Sequence, residues 1–218
     1  MADINNPIVF EQSYVTKIDA KMADPLFTHK SWSSDDLQEI RSAIRKHYRG
    51  EQNARCAYCR NPVSIHDALN CHVEHIVPKS KYPDFIFEPK NLCVICSDCN
   101  SIKRSQEVMT AEPDPLVRGG ERKKYPRASS AFLIVHPHFD RWDDHIQVFG
   151  KFYADKTEKG HFTIGACVLN RRLKEFGWEP TIIDDDAMRE AMTCYLDDAN
   201  PLVKASALMR LMRLLQQL

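Results

Sequence analysis

Residues 91–100 read NLCVICSDCN. The stretch consists of an asparagine, a short apolar run that contains one cysteine, and two further cysteines with two residues between them. The apolar run is typical of a short buried strand. A second cysteine pair, in CAYC, is separated from this one by 36 residues. Two such pairs supply the four thiolates of a tetrahedral zinc site, and a site closed by four sulfurs is structural because no coordination position stays open. The sequence therefore predicts that structural Zn²⁺ is bound by Cys56, Cys59, Cys96 and Cys99.

A zinc site of this kind also draws together what lies between its cysteine pairs, including residues 71–80, CHVEHIVPKS. Glu74 and His75 are adjacent, so on a regular strand their side chains would point to opposite faces. Both can serve one site where the strand bends or ends, as Pro78 indicates. We expect this segment to pair with the apolar run that follows Asn91, which gives a two-stranded unit.

The second cysteine pair is expected to lead into a helix. Asn100 follows Cys99, and Lys103 comes one helical turn later, so these two side chains lie on the same helix face. The predicted strand-strand-helix unit brings a carboxylate, an imidazole, an amide and an ammonium group to one place. Groups of these types can bind a divalent metal, accept a proton from water and contact a phosphate.

The segments CAYC, HVEHIVPKS and NLCVICSDCNSIK together resemble the HNH endonuclease family, over about 50 of the 218 residues. The resemblance implies a ββα-metal fold with zinc-binding cysteine pairs. It also implies site roles: His75 is the general base, Glu74 binds a catalytic divalent metal, Asn91 orients the histidine and Asn100 completes the metal site. One departure is that the acidic position is more often aspartate in this family, and glutamate is one methylene longer.

These residue types suit the hydrolysis of a phosphodiester bond. The reaction needs an activated water, a positive charge near the phosphate and help for the leaving oxygen. A histidine with an ordinary pKa near neutrality can take a proton from water. Glu74 and Asn100 offer hard oxygen ligands, which suit Mg²⁺ or Mn²⁺. Lys79, Lys103 and Arg104 are candidate phosphate contacts, with an ordinary solvated surface as the alternative for each.

A longer pattern is similar to the HNH nucleases of bacterial defence systems of the Septu and retron-associated types. It comprises HVEHIVPKSKYPDFIFEPKNL and CSDCN, followed downstream by HPHFDRWDDHI and GHFTIGACVLNRR. This resemblance implies an ATPase partner of the ABC/SMC type. The substrate that we expect is nucleic acid, DNA by the habit of the HNH family, with RNA as the open alternative. The sequence has no G-x-x-x-x-G-K-[ST] phosphate loop, so ATP hydrolysis is expected from another chain. The alternatives are a nucleic-acid-binding module held together by structural zinc, and a regulatory subunit without catalysis.

Composition is that of an ordinary globular protein. The chain has 43% hydrophobic and 28% charged residues, and its 30 basic residues balance its 30 acidic ones. Two segments are nevertheless basic, residues 41–60 and 118–127, and could meet phosphates or form a solvated surface. No apolar run is long enough to span a membrane, and MADINNPIVFEQ lacks the features of a secretory signal. We expect a cytoplasmic protein.

We expect an α+β fold in which the zinc-stapled HNH core carries flanking helices and a small C-terminal strand and helix region. The expected divisions are an N-terminal arm (1–34), a helix plus the nuclease core (35–106), a basic connector (107–130), a small α/β extension (131–183) and C-terminal helices (184–218). Leu37, Ile40 and Ile44 recur at helical spacing before Gly50, which we expect to end their helix.

The α/β extension is expected to start with strands in AFLIVHPHF and HIQVFGKFYA, followed by a turn at DKTEKGH. A strand that becomes a helix ending at Gly177 follows. Asn200 and Pro201 should cap the last helix, whose apolar stripe consists of Leu208, Leu211, Met212, Leu215 and Leu218. This stripe and the N-terminal arm could dock a partner or a second copy of the chain, or could complete the chain's own core.

Several further cysteines and histidines carry no strong motif. We expect core positions for Cys71, Cys93, Cys167 and Cys194, since free cysteine is usually an interior residue. His72 is expected to pack on its strand or to support the site rather than to bind metal. The segment from His136 to Asp140, HPHFD, is expected to end a strand near the active site, with a second metal site as the alternative.

Overall fold

The computed structural model describes residues 2–110, 124–177 and 186–215. The described residues form α-helices and two separate two-stranded antiparallel sheets, as expected for an α+β chain. The helices are α1 (Gln12–Met22), α2 (Gln38–Glu51), α3 (Ser97–Lys103), α4 (Glu158–Ala166), α5 (Arg171–Phe176), α6 (Asp186–Asp197) and α7 (Pro201–Leu215). The strands are β1 (His72–His75), β2 (Leu92–Ile95), β3 (Ile146–Phe149) and β4 (Phe152–Asp155).

The centre of the fold is the strand-strand-helix unit β1, β2 and α3. β1 pairs antiparallel with β2, with Glu74 opposite Cys93 and His75 opposite Leu92. All four residues of β2 are buried. The Cys96 side chain accepts a hydrogen bond from the backbone N–H of Cys99 and so caps the first turn of α3. The predicted strand pairing and the helix after the second cysteine pair are therefore confirmed.

Helix α2 packs on this unit through an apolar face. Ile40, Ile44 and Tyr48 are fully buried at helical spacing. The expectation that Gly50 ends this helix was wrong, because the last turn runs through Gly50 to Glu51. A 3₁₀ turn, Asp35–Leu37, precedes the helix. The amide side chain of Gln52, just past the helix, accepts from the Val94 N–H at 2.7 Å and donates to the Val94 carbonyl at 2.8 Å. Gln52 therefore provides hydrogen-bond partners for the Val94 backbone in β2.

The N-terminal arm packs on the main core. Ile4, Ile8 and Trp32 are buried there, and the Ile4 N–H donates to the Pro137 carbonyl at 2.9 Å. The arm also contains α1, which the sequence pattern did not reveal. Only Ile18 of α1 is buried, so the helix has little of the apolar periodicity that sequence reading depends on.

The region from residue 131 to 177 differs from the sequence prediction. Residues 131–139 are largely buried but form no strand; a single antiparallel bridge joins Met109 to Phe132. HIQVFGKFYA forms the hairpin β3–β4, and the segment expected as a turn and strand is α4, capped by the Thr157 hydroxyl. A Cβ at Gly160 would lie 1.9 Å from the His145 carbonyl oxygen, so α4 requires glycine at this close approach.

Helix α5 ends at Gly177, which has φ +67°, as predicted. Helices α6 and α7 pack together on the β3–β4 hairpin around a second core, and Asn200 caps α7 by accepting from the Leu202 N–H at 3.0 Å. The predicted stripe on α7 is only partly right, because Leu211 is fully buried whereas Met212 is 45% exposed. The side chain of Leu215 and the whole of Leu218 lie outside the described residues.

Most of the connector, including the basic residues 118–123, lies outside the described residues. Its two described ends are packed: Val108 and Met109 before the gap are buried, and so is Tyr125 after it. No helix in the described part of the chain is long and apolar enough to cross a membrane.

The second core predicts different effects for two leucines of α7. Leu211→Ala should lower the free energy of unfolding by about 2–5 kcal/mol, because it leaves a cavity where the side chain is fully buried. Leu202→Ala is the matched control, since that side chain is 80% exposed and its loss should change stability by less than about 0.5 kcal/mol. Urea unfolding followed by circular dichroism checks both values, and equal effects would contradict the packing of α7.

Candidate metal centres and hydrolytic site

The four predicted zinc ligands converge at one buried point. The sulfur atoms of Cys56, Cys59, Cys96 and Cys99 all lie within 4.8 Å of one another, and Cys59 Sγ is 3.6 Å from Cys96 Sγ. Zinc bonds of about 2.3 Å to four sulfurs at tetrahedral angles need sulfurs roughly 3.8 Å apart. The donor set and its spacing therefore fit a metal ion such as zinc.

Groups from distant parts of the chain surround this cluster. The Tyr153 hydroxyl donates to the Cys59 carbonyl at 2.6 Å, and the Trp142 indole N–H donates to the Tyr58 carbonyl at 2.8 Å. Arg171 forms an ion pair with Asp98 at 3.0 Å. These bonds attach the 131–177 region to the first cysteine pair and to α3, so this region supports the metal cluster.

Glu74 lies at the end of β1 in a buried ion pair. Its Oε1 atom is 2.6 Å from the Nζ atom of Lys103, and the Lys103 side chain is fully buried. Lys103 also donates to the Ile76 carbonyl at 3.0 Å, and the Tyr58 hydroxyl donates to Glu74 Oε1 at 3.5 Å. This placement differs from the phosphate contact expected for Lys103. In this structure the ammonium group holds the carboxylate and the strand end in place.

His75 is buried at the last position of β1, next in sequence to Glu74. Its Nε2 atom is 3.1 Å from the Ile86 carbonyl oxygen, which accepts hydrogen bonds only, so Nε2 carries the proton and Nδ1 carries the lone pair. Burial lowers the pKa of His75 to about 3, and the nearby charges of Lys79 and Lys103 act in the same direction. The Trp32 ring packs edge-on against the imidazole, with ring centroids 4.5 Å apart. The imidazole is therefore neutral and held in one tautomer.

Asn91 does not make the hydrogen bond to the imidazole that we expected, because the Ile86 carbonyl makes it. The Asn91 side chain instead contacts the backbone around this carbonyl. Its Oδ1 accepts from the Val77 N–H at 2.7 Å, and its Nδ2 donates to the carbonyls of Phe85 and Val77 at 2.9 Å and 3.2 Å. Any orienting effect of Asn91 on His75 therefore passes through the loop between β1 and β2.

The other predicted site residues lie on α3 and on the segments that follow β1 and α3. Asn100 is half-buried in the middle of α3. Lys79 is half-buried, and burial lowers its pKa while the charge of Glu74 raises it, so the ammonium lies within electrostatic range of the carboxylate. Arg104 is exposed just past α3 and its Nε donates to the Ser101 carbonyl at 2.7 Å.

Sequence reasoning missed four contributions to the site: Trp32, the Tyr58 hydroxyl, the Ile86 carbonyl and Tyr125. Tyr58 could have been predicted, because it lies inside the CAYC motif, between the two cysteines of the first pair. Trp32 and Tyr125 lie far from the motif in sequence, and the Ile86 contact is made by the backbone, so no residue pattern marks them.

The remaining cysteines and histidines occupy the expected environments. Cys71, Cys93 and Cys167 are buried in the main core, and Cys194 is half-buried. His72 contacts the Leu69 carbonyl at 2.9 Å through Nε2. Among the described residues, Cys56, Cys59, Cys96 and Cys99 form the group of three or more histidines, cysteines and acids whose ligand atoms converge, and HPHFD contributes no residue to it.

Comparison with known proteins places this site in a class. Residues 56–106 match the family model described as HNH endonuclease, which covers both cysteine pairs, β1, β2 and α3. The resemblance noted from the sequence motifs is therefore confirmed for this domain. No solved structure matches the chain.

A particular relative can also be named. The chain is similar to the Septu protein PtuB of Bacillus thuringiensis, with 27% identity over 119 residues. The matched region is 55% of this chain and 38% of the relative, so the chain spans less than half the length of that protein.

The cysteine cluster predicts the metal content of the purified chain. About one zinc per chain is expected, and Cys96→Ser should reduce it to near zero and lower the melting temperature, because three sulfurs hold the ion poorly and the hairpin loses its tie to α3. Cys194→Ser, which changes a thiol outside the cluster, is the control. Elemental analysis by mass spectrometry checks the ratio; full zinc in the Cys96 variant would contradict the assignment.

Three buried histidines predict a loss of stability in acid. Burial lowers the pKa of His75 to about 3 and of His138 to about 4, and lowers that of His136 well below its ordinary value. Because a histidine in the unfolded chain has a pKa near 6.5, only the unfolded state gains these protons as pH falls below about 6.5. The free energy of unfolding should therefore fall between about pH 6.5 and pH 4, by up to about 1.4 kcal/mol per pH unit for each histidine.

Urea unfolding at pH 7.5, 6.0 and 5.0 measures this slope. His138→Gln, which can still donate to the Leu92 carbonyl that His138 contacts at 2.8 Å, should flatten the slope by about 1 kcal/mol per pH unit. The exposed His66→Gln should leave it unchanged. An equal slope in wild type and the His138 variant would show that His138 is not held neutral.

Proposed function

We propose that this chain is a metal-dependent endonuclease that hydrolyses phosphodiester bonds of nucleic acid, DNA rather than RNA. The observation that supports this most is the neutral, single-tautomer imidazole of His75 at the last position of β1, next in sequence to Glu74. The match of residues 56–106 to the HNH endonuclease family agrees with this reading.

In this proposal His75 is the general base. The Ile86 carbonyl fixes the Nε2–H tautomer, so the lone pair is on Nδ1 and can accept a proton from water. The low pKa means that the imidazole is already unprotonated throughout the neutral range. No prior deprotonation is needed for it to act.

Glu74 and Asn100 would hold the catalytic divalent ion. A carboxylate and an amide oxygen are hard ligands, which fit Mg²⁺ or Mn²⁺ better than a soft metal. When bound, such an ion stabilises the negative charge that develops on the phosphate and on the leaving oxygen. The ion pair with Lys103 holds the Glu74 carboxylate in place near the end of β1.

Lys79 and Arg104 are the proposed phosphate contacts. Lys79 follows β1 on the same segment as His75, and its ammonium lies near the Glu74 charge. Arg104 is exposed at the end of α3, where a long cationic side chain can reach a nucleic-acid backbone. Both contacts position the substrate without reading its sequence.

We further propose that the nuclease acts in antiviral defence together with an ABC/SMC-type ATPase subunit, in the cytoplasm. Similarity to the Septu protein PtuB supports the defence role. The absence of a phosphate-binding loop motif from the sequence means that an ATPase activity would have to come from another chain. The alternative is a zinc-stapled binding or regulatory subunit without catalysis, which would need the cysteines but neither Glu74 nor His75.

Nicking of supercoiled plasmid by zinc-loaded protein in Mg²⁺ or Mn²⁺ tests the proposal. His75→Ala should lower the rate by about 10²–10⁴-fold, because the general base is lost. His72→Ala is the matched control, three residues earlier on the same strand, and should cut like wild type. If the wild-type protein does not cut the plasmid by itself, the assay is repeated with the ATPase subunit and ATP.

Two results would contradict catalysis at this site. One is equal cutting by wild type and the His75 variant at equal zinc content. The other is the absence of cutting by wild type even with the ATPase subunit, which would favour the binding or regulatory alternative.

A further inference from the structure

A buried hydrogen-bond chain continues from Asn91 away from the site. The Asn91 side chain uses all of its bonding capacity: Oδ1 accepts from the Val77 N–H and from the Tyr125 hydroxyl, and Nδ2 donates to two carbonyls. The Asn91 carbonyl also accepts from the Ile76 N–H at 2.9 Å. Asn91 therefore forms hydrogen bonds to Ile76 and Val77, which directly follow His75. It also forms one to Phe85, which precedes the Ile86 carbonyl that binds the imidazole.

Backbone N–H groups at the two ends of this series of hydrogen bonds determine which atom donates in each of them. The Val77 N–H can only donate, so the atom it contacts is the Asn91 oxygen, and the Tyr125 hydroxyl 3.2 Å away must donate to the same oxygen. The hydroxyl therefore accepts from His136 Nε2 at 2.8 Å. The backbone N–H of His138 contacts His136 Nδ1 at 3.3 Å, which requires an unprotonated Nδ1. His136 is thus neutral, with its proton on Nε2.

The far end of this chain is fixed in turn. The His136 N–H donates to Asp140 Oδ2 at 2.8 Å, and the same carboxylate pairs with Lys159 at 2.5 Å. The His136 ring packs against Phe132, with centroids 4.3 Å apart. His136 is fully buried, and the Tyr125 hydroxyl is occupied by its bonds to Asn91 and His136.

We propose that Tyr125 and His136 are positioning residues for His75, acting through Asn91 and the Ile86 carbonyl. This inference rests on the proposed function, in which His75 is the base. Together the two residues fix the Asn91 amide, the amide fixes the loop at Val77 and at Phe85, the residue before Ile86, and the loop fixes the tautomer. HPHFD is thereby a support for the active site rather than a metal site.

Removal of the Tyr125 hydroxyl should loosen this arrangement. Tyr125→Phe leaves the buried His136 Nε2–H without its acceptor and removes one of the two donors to Asn91 Oδ1. The Asn91 amide can then rotate, the Ile86 carbonyl loses its fixed place, and His75 gains access to the Nδ1–H tautomer. A proton on Nδ1 blocks the base.

The experiment combines a spectroscopic and a kinetic measurement on the full zinc-loaded chain. Long-range ¹H–¹⁵N spectra of histidine-labelled protein report the tautomer of His75, and single-turnover plasmid nicking in Mn²⁺ reports its function. Wild type should show the Nε2–H form. Tyr125→Phe should show a mixture of tautomers and a nicking rate lower by about 10–100-fold, with the plasmid concentration for half-maximal rate within twofold of wild type.

Two controls separate positioning from general destabilisation. Tyr153→Phe removes a hydroxyl that is equally buried but donates to the Cys59 carbonyl, so the His75 tautomer should stay as in wild type. His136→Gln can still donate to Tyr125 and should retain the wild-type tautomer, whereas His136→Leu should behave like Tyr125→Phe.

The outcomes distinguish this inference from the proposed function. A wild-type tautomer and rate in Tyr125→Phe would overturn the inference, and so would a slower rate with an unchanged tautomer. Failure of the wild type to cut, with or without the ATPase subunit, combined with a tautomer shift in Tyr125→Phe, would overturn the proposed function while supporting the positioning of His75.

Discussion

The convergence of four cysteine sulfurs is the constraint on which the rest of the structure depends. β1 and β2 have only four residues each, and a two-stranded unit of that size has little stability of its own. The cluster ties the segment before β1 to the first turn of α3, within which Cys99 lies. Glu74 at the end of β1 and Lys103 at the end of α3 can meet at 2.6 Å because the elements that carry them are held together in this way.

A second constraint comes from buried polar groups. Burying a charge or an amide is costly unless it is fully paired, and the site meets this condition by building each polar residue into a specific contact. Lys103 pairs with Glu74 and a carbonyl, and Asn91 uses every donor and acceptor of its amide. The tautomer of His75 is set by a further buried contact, with the Ile86 carbonyl.

The sequence was sufficient for the local parts of this arrangement. Each cysteine pair and the apolar run of β2 is a signal that spans only a few residues, and together these signals predicted the cysteine cluster and the hairpin. The α4 helix was misread because Phe162, Ile164 and Ala166 alternate along the chain as on a strand. Residues 131–139 were misread as a strand because they are mostly apolar, yet they lack a partner strand in the described residues. Burial alone does not distinguish a strand from an irregular segment.

The long-range contacts at the site could not be predicted from the sequence. The burial of Lys103 depends on Glu74, 29 positions earlier, and the Trp32 and Tyr125 contacts join segments on either side of the motif. The central claim is that the cysteine cluster positions a separate hydrolytic metal site. X-ray anomalous scattering from crystals grown with Mn²⁺ tests it most directly: zinc should appear among the four cysteines, and manganese between Glu74 and Asn100. Manganese among the cysteines, or its absence from Glu74 at saturating concentration, would contradict the account.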